Sequence, residues 1–182
     1  MVNIMKLKLA ALGLLSISSV IANADTIVDG GTVNFTGEFI NAACAVSNES
    51  ANQTVNLGQY RTASLQAAGD VTTNIPFNIV LNECDSTVAD SVAVSFTGPS
   101  ADGDLLAVNA SGTNAQAAQG VGIELLDGRL QTLKVNGEQF STAQTITDGK
   151  NTLNFFARYK STEDTVLPGQ ANATATFKVQ YQ

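Results

Sequence analysis

Apolar and polar residues alternate with a period of two along much of the chain, in short runs bounded by turn residues. These runs occupy residues 75–82, 92–96, 121–125, 152–159 and 173–181. Period-two alternation over such lengths predicts half-buried β-strands. Several short strands separated by turns roughly every ten residues predict an all-β domain, a β-sandwich of immunoglobulin-like type.

Turn and helix signals fall between these runs. Asp127–Gly128 and Asn136–Gly137 have the composition of hairpin turns, and they flank a short predicted strand around 133–135. Only 62–68 and 115–119 have a composition compatible with a helical turn. The sequence therefore predicts a nearly helix-free domain.

The first 24 residues have the three parts of an export signal peptide. Lys6 and Lys8 supply positive charge, 9–21 is a short apolar stretch, and 22–24 supplies the small residues that a signal peptidase reads. The apolar stretch is shorter than the roughly 20 residues that cross a bilayer. We expect residues 1–24 to be cleaved, leaving one exported domain that does not insert into the membrane.

The charge of the mature chain argues against two classes of partner. The signal carries two of the nine basic residues and none of the sixteen acidic ones. So acidic a surface repels nucleic acid and anionic lipid, and we expect neither as a partner. Only 14% of all residues are charged, which distinguishes the chain from a disordered acidic polymer.

The sequence offers little catalytic chemistry. It has no His and no Trp, and it contains no G-x-S-x-G, P-loop or zinc motif. Acidic pairs occur at Glu163–Asp164 and at Asp102 with Asp104, and two carboxylates are enough for glycoside hydrolysis. Both pairs lie in Gly- and Thr-rich segments, where acidic residues are usually solvated turn formers. We therefore expect no enzyme activity, no cofactor and no metal.

Two cysteines, Cys44 and Cys84, follow the signal. Export implies an oxidising compartment, so one disulfide between them is the first expectation. It would add on the order of 4 kcal/mol of stability in the chain-entropy view. Two free thiols or a metal pair are the alternatives, and the absence of His and of further Cys disfavours the metal.

The two ends of the mature chain are both strand-like. In 25–40, Ile27, Gly31, Val33 and Phe35 share a parity with Asp29. A glycine within such a face often marks the close approach of another chain. This segment either pairs within its own domain or reaches into another molecule.

At the other end, the last alternating run stops one residue before the chain does. Phe177, Val179 and Tyr181 lie on one face of this run, and no further strand follows it. If the sandwich needs one more strand, an apolar groove stays open beside this run, and the N-terminal segment of another copy is suited to fill it.

Several segments resemble those of the major subunits of type 1 fimbriae, which are chaperone–usher pilins. The similar segments are VNFTGEFINAACAVS around Cys44, NLGQYRTASL at 56–65, FNIVLNECD around Cys84, NFFARYK, and the ending ATFKVQYQ. Gly169 is fourteenth from the C-terminus, where pilins of this class commonly carry a glycine. The resemblance covers essentially the whole mature chain.

The resemblance implies an incomplete immunoglobulin-like sandwich that is completed by a donor strand from another subunit. It implies a domain at 41–182 preceded by a donor extension at 25–40, whose inward residues would be Ile27, Gly31, Val33 and Phe35. The C-terminal segment that carries Gly169, Phe177, Val179 and Tyr181 would bind a periplasmic chaperone during export.

The same resemblance implies the partners and the function. An outer-membrane usher would exchange the chaperone for the extension of the next identical subunit, and tip pilins would cap the resulting surface fimbria. The expected function is that of a structural shaft subunit. A minor or adaptor pilin of the same assembly and a stand-alone secreted carbohydrate-binding sandwich are the alternatives.

Overall fold

A computed structural model describes residues 26–100 and 103–182 of the chain. The predicted signal peptide at 1–24, Asp25 and Asp102 lie outside these ranges. The described residues fall into two units, 26–38 and Phe39–Gln182. Residues 26–41 form no helix or strand, and the second unit contains all the regular elements described here. No helix among the described residues has the length and apolar character needed to cross a bilayer.

The second unit is built almost entirely of strands. In chain order the strands are β1 (Ala45–Val46), β2 (Ile75–Cys84), β3 (Ser91–Thr97), β4 (Leu106–Ala107), β5 (Val121–Asp127), β6 (Thr132–Leu133), β7 (Asn136–Phe140), β8 (Gln144–Thr145), β9 (Gly149–Ser161) and β10 (Thr176–Tyr181). A one-turn α-helix, α1, spans Asn48–Ala51, and a 3-10 turn spans Thr62–Ser64.

The strands form two antiparallel sheets. The first has the order β1-β2-β9-β5-β4, with β6 paired to β5, and the second has the order β10-β3-β7, with β8 paired to β3. Strand β9 is central to the first sheet and pairs with β2 on one side and β5 on the other. This architecture confirms the predicted all-β sandwich.

The core lies between the sheets and follows the predicted alternation. Ile79 and Leu81 of β2, Val92 and Val94 of β3, and Phe155 of β9 are fully shielded from solvent. Side chains that alternate along a strand all point to one face, so these five meet in a single apolar layer. The disulfide between the two cysteines borders this layer and confirms the predicted pairing.

Three local predictions need correction. Asn136–Gly137 is not a hairpin turn, because it begins β7, which pairs with β3 in the other sheet. Gly137 has φ +76°, and a Cβ there would lie 2.3 Å from Oγ1 of Thr97, so the glycine serves a register shift in the ladder. The segment 115–119 forms isolated strand bridges to 167–170 instead of a helical turn.

The third correction concerns the last run. Strand β10 begins only at Thr176, so the predicted strand at 173–181 is too long at its start. Ala173 and Ala175 nevertheless pack against the core, which is what their alternation indicates. They have no ladder partners in β3, and Asn172, just before them, bridges to Asn109.

Candidate strand-accepting edge

Strand β10 forms one margin of the second sheet. Within the described residues it pairs only with β3, and Phe177, Val179 and Tyr181 lie opposite Phe96, Val94 and Val92. The three β3 side chains are buried, whereas the three β10 side chains are half-exposed although they pack against the same core. The inward face of β10 is therefore only partly covered.

The ladder register shows which backbone groups of β10 are available. Gln182 N donates to Ser91 O at 3.0 Å, and Ser91 N donates to Gln182 O at 3.2 Å. In an antiparallel ladder, hydrogen-bonded pairs alternate with non-bonded pairs. The N–H and C=O groups of Phe177, Val179 and Tyr181 consequently point away from β3, toward the open edge.

Several other apolar side chains of the domain are likewise only partly exposed. Besides the β10 residues, those that pack against the core while remaining partly exposed are Val46, Leu57, Phe77, Ala89, Val108, Tyr159, Ala173 and Ala175. The aromatic rings join the two sheets, since the Phe96 ring lies 6.3 Å from that of Phe177 and 6.1 Å from that of Phe77. Unpaired backbone groups beside half-exposed apolar side chains, as on β10, are what an added strand requires.

Two tyrosine hydroxyls anchor the terminal segment. The Tyr181 hydroxyl donates to the carbonyl oxygen of Cys44 at 2.9 Å, and the Tyr159 hydroxyl donates to that of Ala171 at 2.8 Å. Burial raises the pKa of both phenols, and Tyr60, whose ring contacts that of Tyr159, raises the second further. Both hydroxyls therefore stay protonated donors at neutral pH.

Gly169 lies outside β10 and makes a close backbone contact. A Cβ at this position would lie 2.4 Å from the backbone of Ala117 and of Ala118. The contact is held by Ala118 N, which donates to Gln170 O at 2.8 Å. Glycine is required here so that the two backbones can approach, which is a reason within the fold for the residue that the sequence singled out.

The N-terminal residues that the sequence singled out are exposed. Ile27, Val33 and Phe35 keep 94%, 74% and 92% of their surface accessible. Gly31 has φ +123° and no atom within 4 Å of a Cβ built on it. These residues form no strand and belong to the first unit, so the structure assigns them no pairing.

A buried ionic cluster lies away from this edge and was not anticipated from the sequence. Glu124 of β5 is 1% exposed, and it binds Arg158 at 2.6 Å and Lys160 at 3.0 Å. Burial alone raises the pKa of Glu124, but the hydrogen bonds and charges of the two cations outweigh it and lower the pKa overall. Arg158 and Lys160 lie two residues apart on β9, so their side chains point to the same face. This spacing was the signal in the sequence for a shared anionic partner.

Asp127 is a second buried carboxylate with a purely structural environment. It accepts hydrogen bonds from the N–H groups of Arg129, Gln131 and Thr142 and from the Thr142 hydroxyl. Burial acts to raise its pKa, but these four donors lower it overall. The bonds fix the β5–β6 hairpin, so the predicted turn at Asp127–Gly128 is confirmed.

The acidic residues considered for catalysis have ordinary surroundings. Asp164 accepts from Ala68 N at 3.1 Å, and Asp104 forms an exposed ion pair with Lys134 at 3.3 Å. In the described part of the chain, no three His, Cys, Asp or Glu side chains are grouped so as to hold a metal ion.

Comparison with known proteins agrees with this geometry. The sequence model of the family described as Fimbrial protein matches residues 33–182. The chain is 53% identical over 157 residues to a type 1 fimbrial subunit of Salmonella typhimurium, covering 85% of this chain and 84% of the relative. It is 48% identical over 182 residues to the type 1 fimbrial protein A chain of Escherichia coli, covering 97% of each.

A solved structure of a chaperone–usher pilus, determined to explain rod uncoiling, superposes with a TM-score of 0.69 at 30% identity. The match covers 87% of this chain and all of the pilus subunit. Family model, relatives and fold agree, and they confirm the resemblance seen in the sequence. The chain belongs to the fimbrial protein family.

Proposed function

We propose that the chain is the structural subunit of a fimbrial shaft and that it polymerises head to tail by donor-strand exchange. The observation that carries this proposal is β10, a terminal strand with one paired edge, one open edge and a half-exposed inward face. The N-terminal extension of the next copy would pair with the open edge. The donor and the acceptor surfaces differ, so each contact leaves one of each free and the assembly grows as a filament.

The extension has the chemistry that the edge requires. Its alternating residues Ile27, Gly31, Val33 and Phe35 present an apolar face, and its backbone would bond the N–H and C=O groups on the open side of β10. The exposed apolar side chains of the extension gain by burial, roughly 25 cal/mol for each Å² removed from water. Pairing of the extension with β10 would therefore give each segment the backbone hydrogen bonds and the apolar burial that it lacks alone.

Asp29 limits the possible registers, because it shares the parity of the apolar residues. Burying an ionised carboxylate without a partner costs far more than the roughly 2–7 kcal/mol that a neutral polar group costs. In the register that we propose, Asp29 lies at the mouth of the groove and the residues from Gly31 to Phe35 lie inside it.

An open strand edge has to be covered before the polymer forms. Unpaired edges with apolar side chains pair with other chains and aggregate. A periplasmic chaperone that lends a strand to β10, followed by an outer-membrane usher that exchanges it for the extension, meets this need. The proposed route is export by the signal at 1–24, chaperone capture through the segment with Gly169, Phe177, Val179 and Tyr181, and addition to a fimbria that ends in tip pilins.

Two substitutions that each introduce one carboxylate test the apolar face of the extension. Val33→Asp places a carboxylate on the apolar parity, and Asn34→Asp places one on the opposite parity of the same segment. With a chaperone–usher system present, we expect V33D to abolish the heat-sensitive subunit ladder on a denaturing gel and to abolish fibres in electron micrographs. N34D should retain both.

Two results would contradict the proposal. If V33D polymerises as well as N34D, the extension does not insert with this parity. If the unmodified chain stays monomeric with the chaperone and the usher present, a stand-alone binding sandwich becomes the better account. A short assembly that forms only beside another pilin would indicate an adaptor subunit.

A further inference from the structure

The hydrogen bond between Tyr181 and Cys44 joins the open margins of the two sheets. Tyr181 is the last residue of β10, the margin of the second sheet, and Cys44 directly precedes β1, the margin of the first. The phenol spans the space between them and donates to the Cys44 carbonyl at 2.9 Å. It is the direct side-chain link between these two margins in the described residues.

Both ends of this link are held in place. Cys44 is 2% exposed and is covalently bound to Cys84 at the end of β2, so its carbonyl belongs to the rigid core. On the other side, Tyr181 lies opposite Val92 in the ladder, and the following residue Gln182 exchanges two bonds with Ser91. The hydroxyl therefore bridges two fixed points rather than a loop.

In the proposed strand exchange, the space between these two margins is the groove that receives the donor strand, and the margins are its walls. The width of this groove matters for a physical reason. Phe177 and Val179 are half-exposed, so a shift of β10 toward β1 would bury apolar surface and narrow the space into which a strand inserts. A groove of set width instead receives a strand without first being opened, and this preorganisation strengthens binding.

We infer that the Tyr181 hydroxyl is a positioning group that sets the separation of the two groove walls, so that the open edge is preformed for the incoming strand. The inference rests on the proposed strand exchange. It assigns separate roles to the two parts of one side chain. The ring supplies apolar contact, and the hydrogen bond of the hydroxyl fixes the distance between the walls.

The chain contains a matched control. Tyr159 is also half-buried, and its hydroxyl also donates to a backbone carbonyl, that of Ala171 at 2.8 Å. That bond links β9 to the segment before β10 and does not join the two margins. Y181F and Y159F therefore delete the same group and the same kind of bond at different places.

Two measurements on the full mature chain test the inference. The Val33→Asp background serves for all variants, because the proposed function predicts that it cannot donate its own strand. The first measurement is amide hydrogen exchange. Losing one hydroxyl bond, worth about 1 kcal/mol, corresponds to roughly fivefold faster exchange. For Y181F we expect this increase only at 44–47 and at residues 178, 180 and 182, whose N–H groups face β3.

The second measurement is the capture of a fluorescent synthetic peptide with the sequence of residues 25–40, followed by anisotropy. We expect Y181F to capture this peptide about fivefold more slowly than the V33D reference, and Y159F to capture it at the reference rate. A residue that only added stability would accelerate exchange throughout the sandwich and would not separate the two variants.

The outcomes are distinct. Unchanged exchange at the two margins in Y181F, or equal capture rates for Y181F and Y159F, would overturn the role of the hydroxyl. Faster exchange at the margins without slower capture would also overturn it, since the walls would then not govern strand entry. If the reference itself captures no peptide, strand exchange fails, and the role of Tyr181 in wall spacing is judged by the exchange pattern alone.

Discussion

Strands β3 and β10 are neighbours in one ladder and carry matched apolar side chains. Only β3 is paired on both edges, and only its apolar side chains are fully buried. Phe96 lies opposite Phe177, and Val94 lies opposite Val179. The β3 members are buried, with Val94 at 0% and Phe96 at 5% exposure, whereas their β10 counterparts are half-exposed. Strand β3 has β7 and β8 on its second edge, and β10 has no second neighbour among the described strands.

The comparison shows that alternation along a strand and coverage of that strand are independent properties. Alternation is set locally, because side chains of a strand point to opposite faces in turn. Coverage depends on whether a second strand pairs alongside and on what packs over the face. A chain that keeps a well-patterned strand uncovered retains both backbone bonds and apolar area for a partner.

The largest effect should come from the phenylalanine pair. Phe96→Ala removes a buried ring that contacts three others, and we expect it to lower the free energy of unfolding by about 4 kcal/mol. Phe177→Ala removes a half-exposed ring and should cost about 2 kcal/mol in the monomer, while it abolishes polymerisation. Urea unfolding and fibre yield measure the two effects.

Equal losses of stability from both phenylalanine variants would mean that the β10 face is covered as fully as the β3 face. In that case the groove would not be open in solution. Retention of fibres by F177A would instead show that the aromatic part of the edge does not take part in joining subunits.

The valine pair offers a smaller and cleaner comparison. Val94→Ala and Val179→Ala delete the same two methyl groups at directly opposed positions. We expect a loss of about 2.5 kcal/mol for V94A, from transfer and cavity terms, and about 1 kcal/mol for V179A. Added donor peptide should raise the cost of V179A toward that of V94A, since an inserted strand would bury the side chain. A cost unaffected by the peptide would contradict insertion at this level of the groove.

Much of the fold follows from local pattern, and particular residues show where this stops. The alternation at 75–82 and 152–159 places the long strands β2 and β9 on the correct faces, and export predicts the Cys44–Cys84 bond. The two-residue strands β1, β4, β6 and β8 have too few positions for any period to be recognised. Asn136–Gly137 has the composition of a hairpin turn, but Gly137 instead allows the backbone of β7 to lie close to Thr97. This contact between distant residues cannot be recognised from the local sequence.

The candidate site was predictable in its apolar residues and not in its polar ones. The alternation of Phe177, Val179 and Tyr181 predicts an inward face, and all three side chains pack against the core. Nothing in the local pattern places the Tyr181 hydroxyl against the carbonyl of Cys44, 137 residues away in sequence. Nor does it show that both faces of β5 are covered, which buries Glu124.

Glu124 extends the comparison to charged positions of an interior strand. Glu124→Gln removes the anion that binds Arg158 and Lys160, and we expect a loss of about 2 kcal/mol at pH 7. The pKa of Glu124 is lower in the folded state than its ordinary value of 4.5, so its stabilisation is complete above that pH. It is lost as the pH falls through the lower folded-state value.

The stability difference between wild type and E124Q should therefore shrink below about pH 4.5, because protonated Glu124 resembles glutamine. Unfolding by urea at a series of pH values measures this difference. Other carboxylates, Asp127 among them, affect both proteins alike and cancel in the subtraction. A difference that stays constant down to pH 3 would show that the charge of Glu124 contributes nothing.

We expect the smallest effect on stability for Lys178, a charged residue of the edge strand β10. Lys178 lies on the outward face of β10, opposite Ser95 in the ladder, and it forms no ion pair with any described residue. It is exposed, so Lys178→Ala should change the free energy of unfolding by less than about 0.5 kcal/mol. Polymer yield should also stay unchanged, because the proposed donor strand contacts the other face and the free edge of β10. A marked loss of fibres at normal monomer stability would mean that the outward face of β10 is a second contact between subunits, and the distinction between the two faces of this strand would then have to be abandoned.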